Sequence, residues 1–108
     1  MFKVWEDKVW LTRGDSANLT VAIQSIVNNS ELYIPSELDT MTFSMKKNEL
    51  DDEPVLEIVS QDNQTIAFAP ADTTGIDYGS YVYTVKVETD KGKVFTVVGP
   101  ACFEVIPF

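Results

Sequence analysis

The sequence predicts an all-β domain, an antiparallel β-sandwich of about seven to eight strands, over residues 1–108. Three observations carry this. Apolar and polar residues alternate along most segments, the period of a strand whose two faces meet different surroundings. Turn-forming residues recur at intervals of about 8–12 positions. No 3.6-residue apolar stripe holds for three helical turns.

Leu19, Val21 and Ile23 alternate with Asn18, Thr20, Ala22 and Gln24, and Met41, Phe43 and Met45 with Thr42, Ser44 and Lys46. Leu56 and Ile58 flank Glu57, and Ile66 and Phe68 flank Ala67, as two short strands. The longest strand runs from Ser80 to Thr89, with Tyr81, Tyr83, Val85 and Val87 on one face. A turn at Asp90-Lys91-Gly92, glycine taking the positive-φ position, joins it to Lys93–Val98. Gly99-Pro100 is expected to break that strand before Phe103 and Val105 resume it. Val4–Glu6 and Val9–Thr12 are weaker strand candidates at the front. One short helical turn is expected near residues 70–75, with Pro70 at its first position and Gly75 as its stop. Residues 25–40 read as a polar loop, with Leu32-Tyr33-Ile34 packing down as a lid.

One local pattern narrows the architecture. Asp77, Gly79 and Tyr81 have the D-x-G-x-Y layout of a tyrosine corner, at the start of the longest strand. In immunoglobulin-type sandwiches that hydroxyl bonds back to the backbone where the chain crosses between sheets. In disulfide-bonded members a cysteine lies two residues later. Here Tyr83 stands there, a bulky aromatic to fill the space between sheets. The predicted sandwich is therefore immunoglobulin-like.

Composition limits what such a domain can do. Seventeen acidic residues against eight basic ones give a net charge of −9, a field that repels phosphate backbones. Nucleic acid is not an expected partner, and the charge reads as solubility. No apolar run approaches the ~20 residues of a membrane span, and the first residues lack the features of a signal peptide, so no membrane partner is expected either. Cys102 is the single cysteine, which rules out an internal disulfide and fits a reducing compartment. Histidine is absent, removing the commonest general base and metal ligand.

Several short motifs have a bland reading that outweighs the functional one. Arg13-Gly14-Asp15 matches an integrin-binding tripeptide but also makes a tight turn, with Asp15 bonding nearby amides. Asn18-Leu19-Thr20, Asn28-Asn29-Ser30 and Asn63-Gln64-Thr65 match the glycosylation sequon by chance. Glu49, Asp51, Asp52 and Glu53 form an acidic loop that lacks the residue order of a dedicated calcium site and reads as a solvated hairpin tip. Cys102 has no histidine partner for nucleophilic catalysis and reads as a small core or edge residue. No catalytic, cofactor-binding or metal-ligating residue is assigned, and no enzyme is expected. Phe2, Trp5, Trp10 and Tyr33 are the candidate interaction surface, because large aromatics outside the best strands often anchor protein contacts. The alternative, that Trp5 and Trp10 cap an open end of the core, is left open.

From Thr42 onward the chain resembles a known family. The segments are Thr42–Lys47, Glu53-Pro54-Val55-Leu56, Ala69-Pro70-Ala71-Asp72-Thr73, Tyr78–Val85 and Gly92–Val98. In that order and spacing they are similar to the N-terminal domain of the baseplate upper protein family of phages and prophages of Gram-positive bacteria. The opening Leu11–Ala17 looks alike too, which would make Arg13-Gly14-Asp15 a family turn. The resemblance implies an immunoglobulin-like fold and a non-catalytic structural role in a phage tail or baseplate. The implied partners are other tail proteins or further copies of the chain, assembled in the bacterial cytoplasm and carried on the virion. Family members continue into segments that reach receptor-binding proteins, whereas this sequence ends at Ile106-Pro107-Phe108. The rival readings are a glycan-binding or adhesive sandwich, with Trp5 and Trp10 as the platform, and a small enzyme or metal-dependent domain.

Overall fold

In the computed structural model, residues 1–21, 26–28, 31–33, 39–60, 65–89 and 92–107 are described, with backbone alone at 26–28 and 31–33. The strands are β1 (Phe2–Trp5), β2 (Lys8–Thr12), β3 (Ala17–Thr20), β4 (Ile26–Asn28), β5 (Glu31–Tyr33), β6 (Thr40–Lys46), β7 (Leu56–Ser60), β8 (Thr65–Phe68), β9 (Gly79–Glu88) and β10 (Val94–Ile106). One short helix, α1 (Pro70–Thr74), lies between β8 and β9. A six-stranded sheet of order β1-β2-β10-β9-β6-β7 faces a two-stranded sheet of β3 and β8, and β4 and β5 pair separately. Eight strands in two facing sheets make the all-β sandwich that the alternation predicts.

The alternation fixes which side chains line the core. Met41, Phe43 and Met45 of β6 are buried while Thr42, Ser44 and Lys46 are only half-covered. Tyr81, Tyr83, Val85 and Val87 of β9 are buried on the same face. Leu19, Val21, Ile66 and Phe68 close the core from the opposite sheet. Phe43, Phe68, Tyr83 and Phe103 gather at the centre with ring centroids 5.1–6.0 Å apart. Such aromatic pairs add about 0.5–1.5 kcal/mol each beyond the area they bury.

Three expectations need correction. The sheet is not wholly antiparallel, because β2 pairs in parallel with β10. That pairing sets Val9 beside Phe103 and Leu11 beside Val105, so the core face continues unbroken. Residues 25–40 are not simply a polar loop. Ile26 pairs with Tyr33 and Val27 with Leu32 in a hairpin whose three-residue strands are too short to show alternation. The lid placed at Leu32-Tyr33-Ile34 depends on side chains outside the described residues, as does Ile23. Gly99-Pro100 does not end its strand: β10 runs from Val94 to Ile106, absorbing the pair through register shifts between Thr96 and Ala101. Gly75 follows the helix at φ −90°, so it ends α1 without using a conformation reserved to glycine.

Asp72 explains the helix start better than proline alone. Its carboxylate accepts the Ala69 backbone N–H at 2.7 Å, tying down one of the donors a helix leaves without an internal partner. Gly99 is different in kind from Gly75. It sits at φ +90°, and a Cβ there would press on the Tyr83 carbonyl more closely than real Cβ atoms come, with Ala101 N at 3.1 Å and Thr84 Cα at 3.2 Å. Gly99→Ala is expected to lower stability by about 1–3 kcal/mol. Gly75→Ala, at an ordinary φ with nothing within 4 Å, should be neutral or stabilising by up to ~1 kcal/mol. Urea midpoints of the two variants check the pair. Equal shifts would contradict this account of β10.

Candidate interaction surface

Asp77, Gly79 and Tyr81 meet where the chain passes from α1 into β9. The Tyr81 hydroxyl donates to the Asp77 carbonyl at 2.7 Å, closing the four-residue crossing on itself. Lys47 lies 4.7 Å from the Tyr81 ring centre, and its ammonium donates to the Ser80 carbonyl at 3.3 Å. Gly79 has φ +139°, and a Cβ there would come within 3.2 Å of the Lys47 ammonium. Burial, and then the nearby Asp77 charge, raise the Tyr81 pKa.

Arg13-Gly14-Asp15 turns between β2 and β3 and docks on the helix. The Gly14 N–H donates to the buried Thr73 hydroxyl at 2.8 Å. Arg13 Nε donates to the Thr74 carbonyl at 2.9 Å, its Nη2 reaches the same oxygen, and the guanidinium lies 5.2 Å from the Tyr78 ring centre. The Asp15 carboxylate meets the Met1 amino group at 2.7 Å, not the nearby amides expected for it. The turn itself closes through the Asp15 N–H, which donates to the Thr12 carbonyl at 3.0 Å.

The four candidate aromatics do not form one cluster. Phe2 packs against the core. Trp5 is 66% exposed at the end of β1, beside the tight β1–β2 turn where Glu6 takes φ +54°. Trp10 lies half-buried on the outer face of β2, with the Lys3 ammonium 5.3 Å and the Lys8 ammonium 4.7 Å from its ring centre. Lys8 also reaches Glu104 at 4.0 Å, an exposed pair of little energetic weight. Tyr33 has its backbone in β5, and its side chain lies outside the described residues. Neither tryptophan caps the core. On the outer face, Lys3 stands across from Trp10 and Trp5 across from Lys8, a checkerboard that alternation alone does not reveal.

The remaining candidates are dispersed. The acidic loop folds back through Asp51, whose carboxylate accepts the Asn48 N–H at 3.0 Å, so one of its charges serves the turn. Among the described residues no three acidic or cysteine side chains stand together as a metal site. Cys102 is neither core nor edge: it lies half-covered on the outer face of the central strand β10, opposite Val82. It borders a broad, shallow depression of about 500 Å³ with Lys47, Glu49 and Pro100. A second depression of about 230 Å³ opens between the Glu6-Asp7 turn and Leu19–Val21, with Tyr83 reaching into it. Asn18 is exposed on β3, and Asn63 lies outside the described residues. Among the described residues no helix is long and apolar enough to cross a membrane. Sequence reasoning missed Thr73 and Asp39, both buried, because neither threonine in a short helix nor aspartate in a polar stretch signals burial.

No family model, curated protein or solved structure matches the chain.

Tyr83 carries the testable electrostatics. Its hydroxyl donates to the Asp7 carbonyl in the β1–β2 turn, and its ring stacks on Phe43. Burial first, then the charges of Asp7 and Cys102, push its pKa up to about 12 from an ordinary 10.0. A raised folded-state value means the folded protein holds this proton more tightly than the unfolded chain. The resulting stability is fully present below pH 10 and is lost as pH rises toward about 12. Unfolding free energies measured across that window should fall less steeply for Tyr83→Phe than for the parent chain. At neutral pH, Tyr81→Phe should cost about 0.5–1.5 kcal/mol, the net worth of one hydrogen bond.

Proposed function

We propose that this domain is a non-catalytic structural module of a phage or prophage tail or baseplate, meeting other tail proteins or further copies of itself. The observation that carries the reading is the ordered set of segments from Leu11 to Val98 that resembles the baseplate upper protein family. The placement of polar side chains supports it. The corner, the Arg13-Gly14-Asp15 turn and the helix cap use their polar groups to hold backbone in place. Large apolar groups are left exposed instead, with Val4, Trp5 and Val59 on strands at the sheet's margins. The domain acts through shape, offering edges and faces for docking.

A glycan-binding reading needs an open aromatic platform. Trp10 already has two lysine ammonium groups over its ring, and Trp5 stands apart at the strand end, which weighs against it. The test is direct. Particles purified after induction of the parent bacterium, labelled with antibody to this domain, should carry gold at the tail end. A protein abundant in the lysate yet missing from purified particles would end this reading. Specific binding on a glycan array that Trp10→Ala abolishes would transfer the case to the rival.

A further inference from the structure

The six-stranded sheet ends at β1 on one side and β7 on the other, and among the described residues no strand pairs with the outer side of either. An edge strand leaves alternate N–H and C=O groups without a ladder partner, a template for another chain. Following the pairings across the sheet, β1, β9 and β7 run one way and β2, β10 and β6 the other. The two edges therefore point in the same direction.

Their faces are also in phase. Phe2 and Val4 of β1 stand beside Leu11 and Val9 on the core face, and Leu56 and Ile58 of β7 beside Met45 and Phe43. Lys3 and Trp5, like Glu57 and Val59, point outward. Set side by side in register, Phe2 meets Leu56, Lys3 meets Glu57, Val4 meets Ile58 and Trp5 meets Val59. Every position is matched, apolar with apolar and cation with anion. We propose that these edges are the two halves of a head-to-tail contact between copies of this chain. In it, β1 of one copy pairs in parallel with β7 of the next and continues the sheet.

Exposure and charge favour this partner. Val4 is 43% exposed, Trp5 66% and Val59 56%, and among the strand residues whose side chains are described Val94 is the only other large apolar one left exposed. Pairing β7 with a second β7 would bring two copies of Glu57 together, each preceded in the chain by the acidic loop Glu49, Asp51, Asp52 and Glu53. Pairing β1 with a second β1 would juxtapose two sets of Lys3 and Lys8. Like charges across a ladder are destabilising, whereas β1 against β7 sets Lys3 on Glu57. Four residue pairs fall well short of the ~800 Å² per partner of a standard stable interface, so a single contact is weak. Repetition makes up for that. A heterologous contact closes into a ring or continues as a filament, and anchoring on a larger particle raises the effective concentration. The inference rests on reading the domain as an assembly module and names the surface that module uses.

Sedimentation of the purified chain up to about 1 mM, the weak end of specific association, provides the test. The average mass should rise with concentration. Lys3→Glu and Glu57→Lys, both exposed positions, should each remain monomeric with unchanged circular dichroism and melting. An equimolar mixture of the two should grow again, because every contact between unlike variants pairs a cation with an anion, whichever of the two supplies β1. A parent chain monomeric at ~1 mM overturns the contact, as does growth that stops at a dimer or survives both reversals. A monomeric parent still found in purified particles would sink this contact alone and leave the module reading standing. Charge-dependent growth of a protein missing from particles would do the opposite.

Discussion

The domain depends on one ring held by two others. Phe68, on the smaller sheet, meets Phe43 edge-on at 5.1 Å and lies 5.7 Å from Phe103, while Phe43 stacks on Tyr83. A two-stranded ribbon with four paired residues per strand is at best marginal in water, so β3 and β8 hold only by packing on the larger sheet. In disulfide-bonded sandwiches a covalent bridge secures that packing. With one cysteine, this chain has no such bridge within itself and relies on aromatic area. The substitution has a consequence for polarity, because Tyr83 brings a hydroxyl into the interior and a buried hydroxyl needs a partner. The Asp7 carbonyl supplies it, so the central cluster also fastens the β1–β2 turn, and with it the position of the β1 edge.

A second fastening works at the other end of the same strands. Thr73 is buried yet satisfied, because its hydroxyl receives the Gly14 N–H, and Arg13 closes on the carbonyl of the next residue. Tyr81 pins the crossing that follows. Three separate stretches of sequence thus meet around one five-residue helix that would not persist alone. The helix is held in place because its Thr74 carbonyl and its one buried threonine are occupied by the turn that enters β3.

Period-two alternation made the core strands legible. Met41-Phe43-Met45 and Tyr81-Tyr83-Val85-Val87 could be assigned to one face from spacing alone, because a strand buried on one side leaves no other reading. The D-x-G-x-Y spacing located the corner for a similar reason, being a local motif with a local hydrogen bond. What stayed hidden was non-local or short. Nothing in Val9–Thr12 announces a parallel partner almost a hundred residues away. Ile26–Asn28 and Glu31–Tyr33 are too brief to show a period. Gly99-Pro100 carries break signals, yet flanking β-formers on both sides keep the ladder going around a bulge. The aromatic candidates failed as a cluster because strand register, not composition, decides which face each side chain takes. One step in sequence sends Val4 inward and Trp5 outward.

The inequality of the two sheets bears most directly on what the domain can do. Six strands face two, so the smaller sheet cannot cover the flanks of the larger. Phe2 at one margin, and Leu56 and Ile58 at the other, pack against the core yet keep part of their surface exposed. Those are core-face residues with burial still to gain, at roughly 25 cal/mol for each Å² withdrawn from water. The interior strands have none left: Val9, Phe43, Val85 and Phe103 are already fully enclosed. In the proposed contact the burial still to be gained lies at the margins, where, among the described residues, edge backbone without a ladder partner, half-covered apolar groups and opposite charges coincide. A strongly acidic surface elsewhere keeps the remaining faces apart. In the proposed contact, the same net charge that opposes indiscriminate association would favour the lysine-bearing edge meeting the acidic margin of a neighbouring copy.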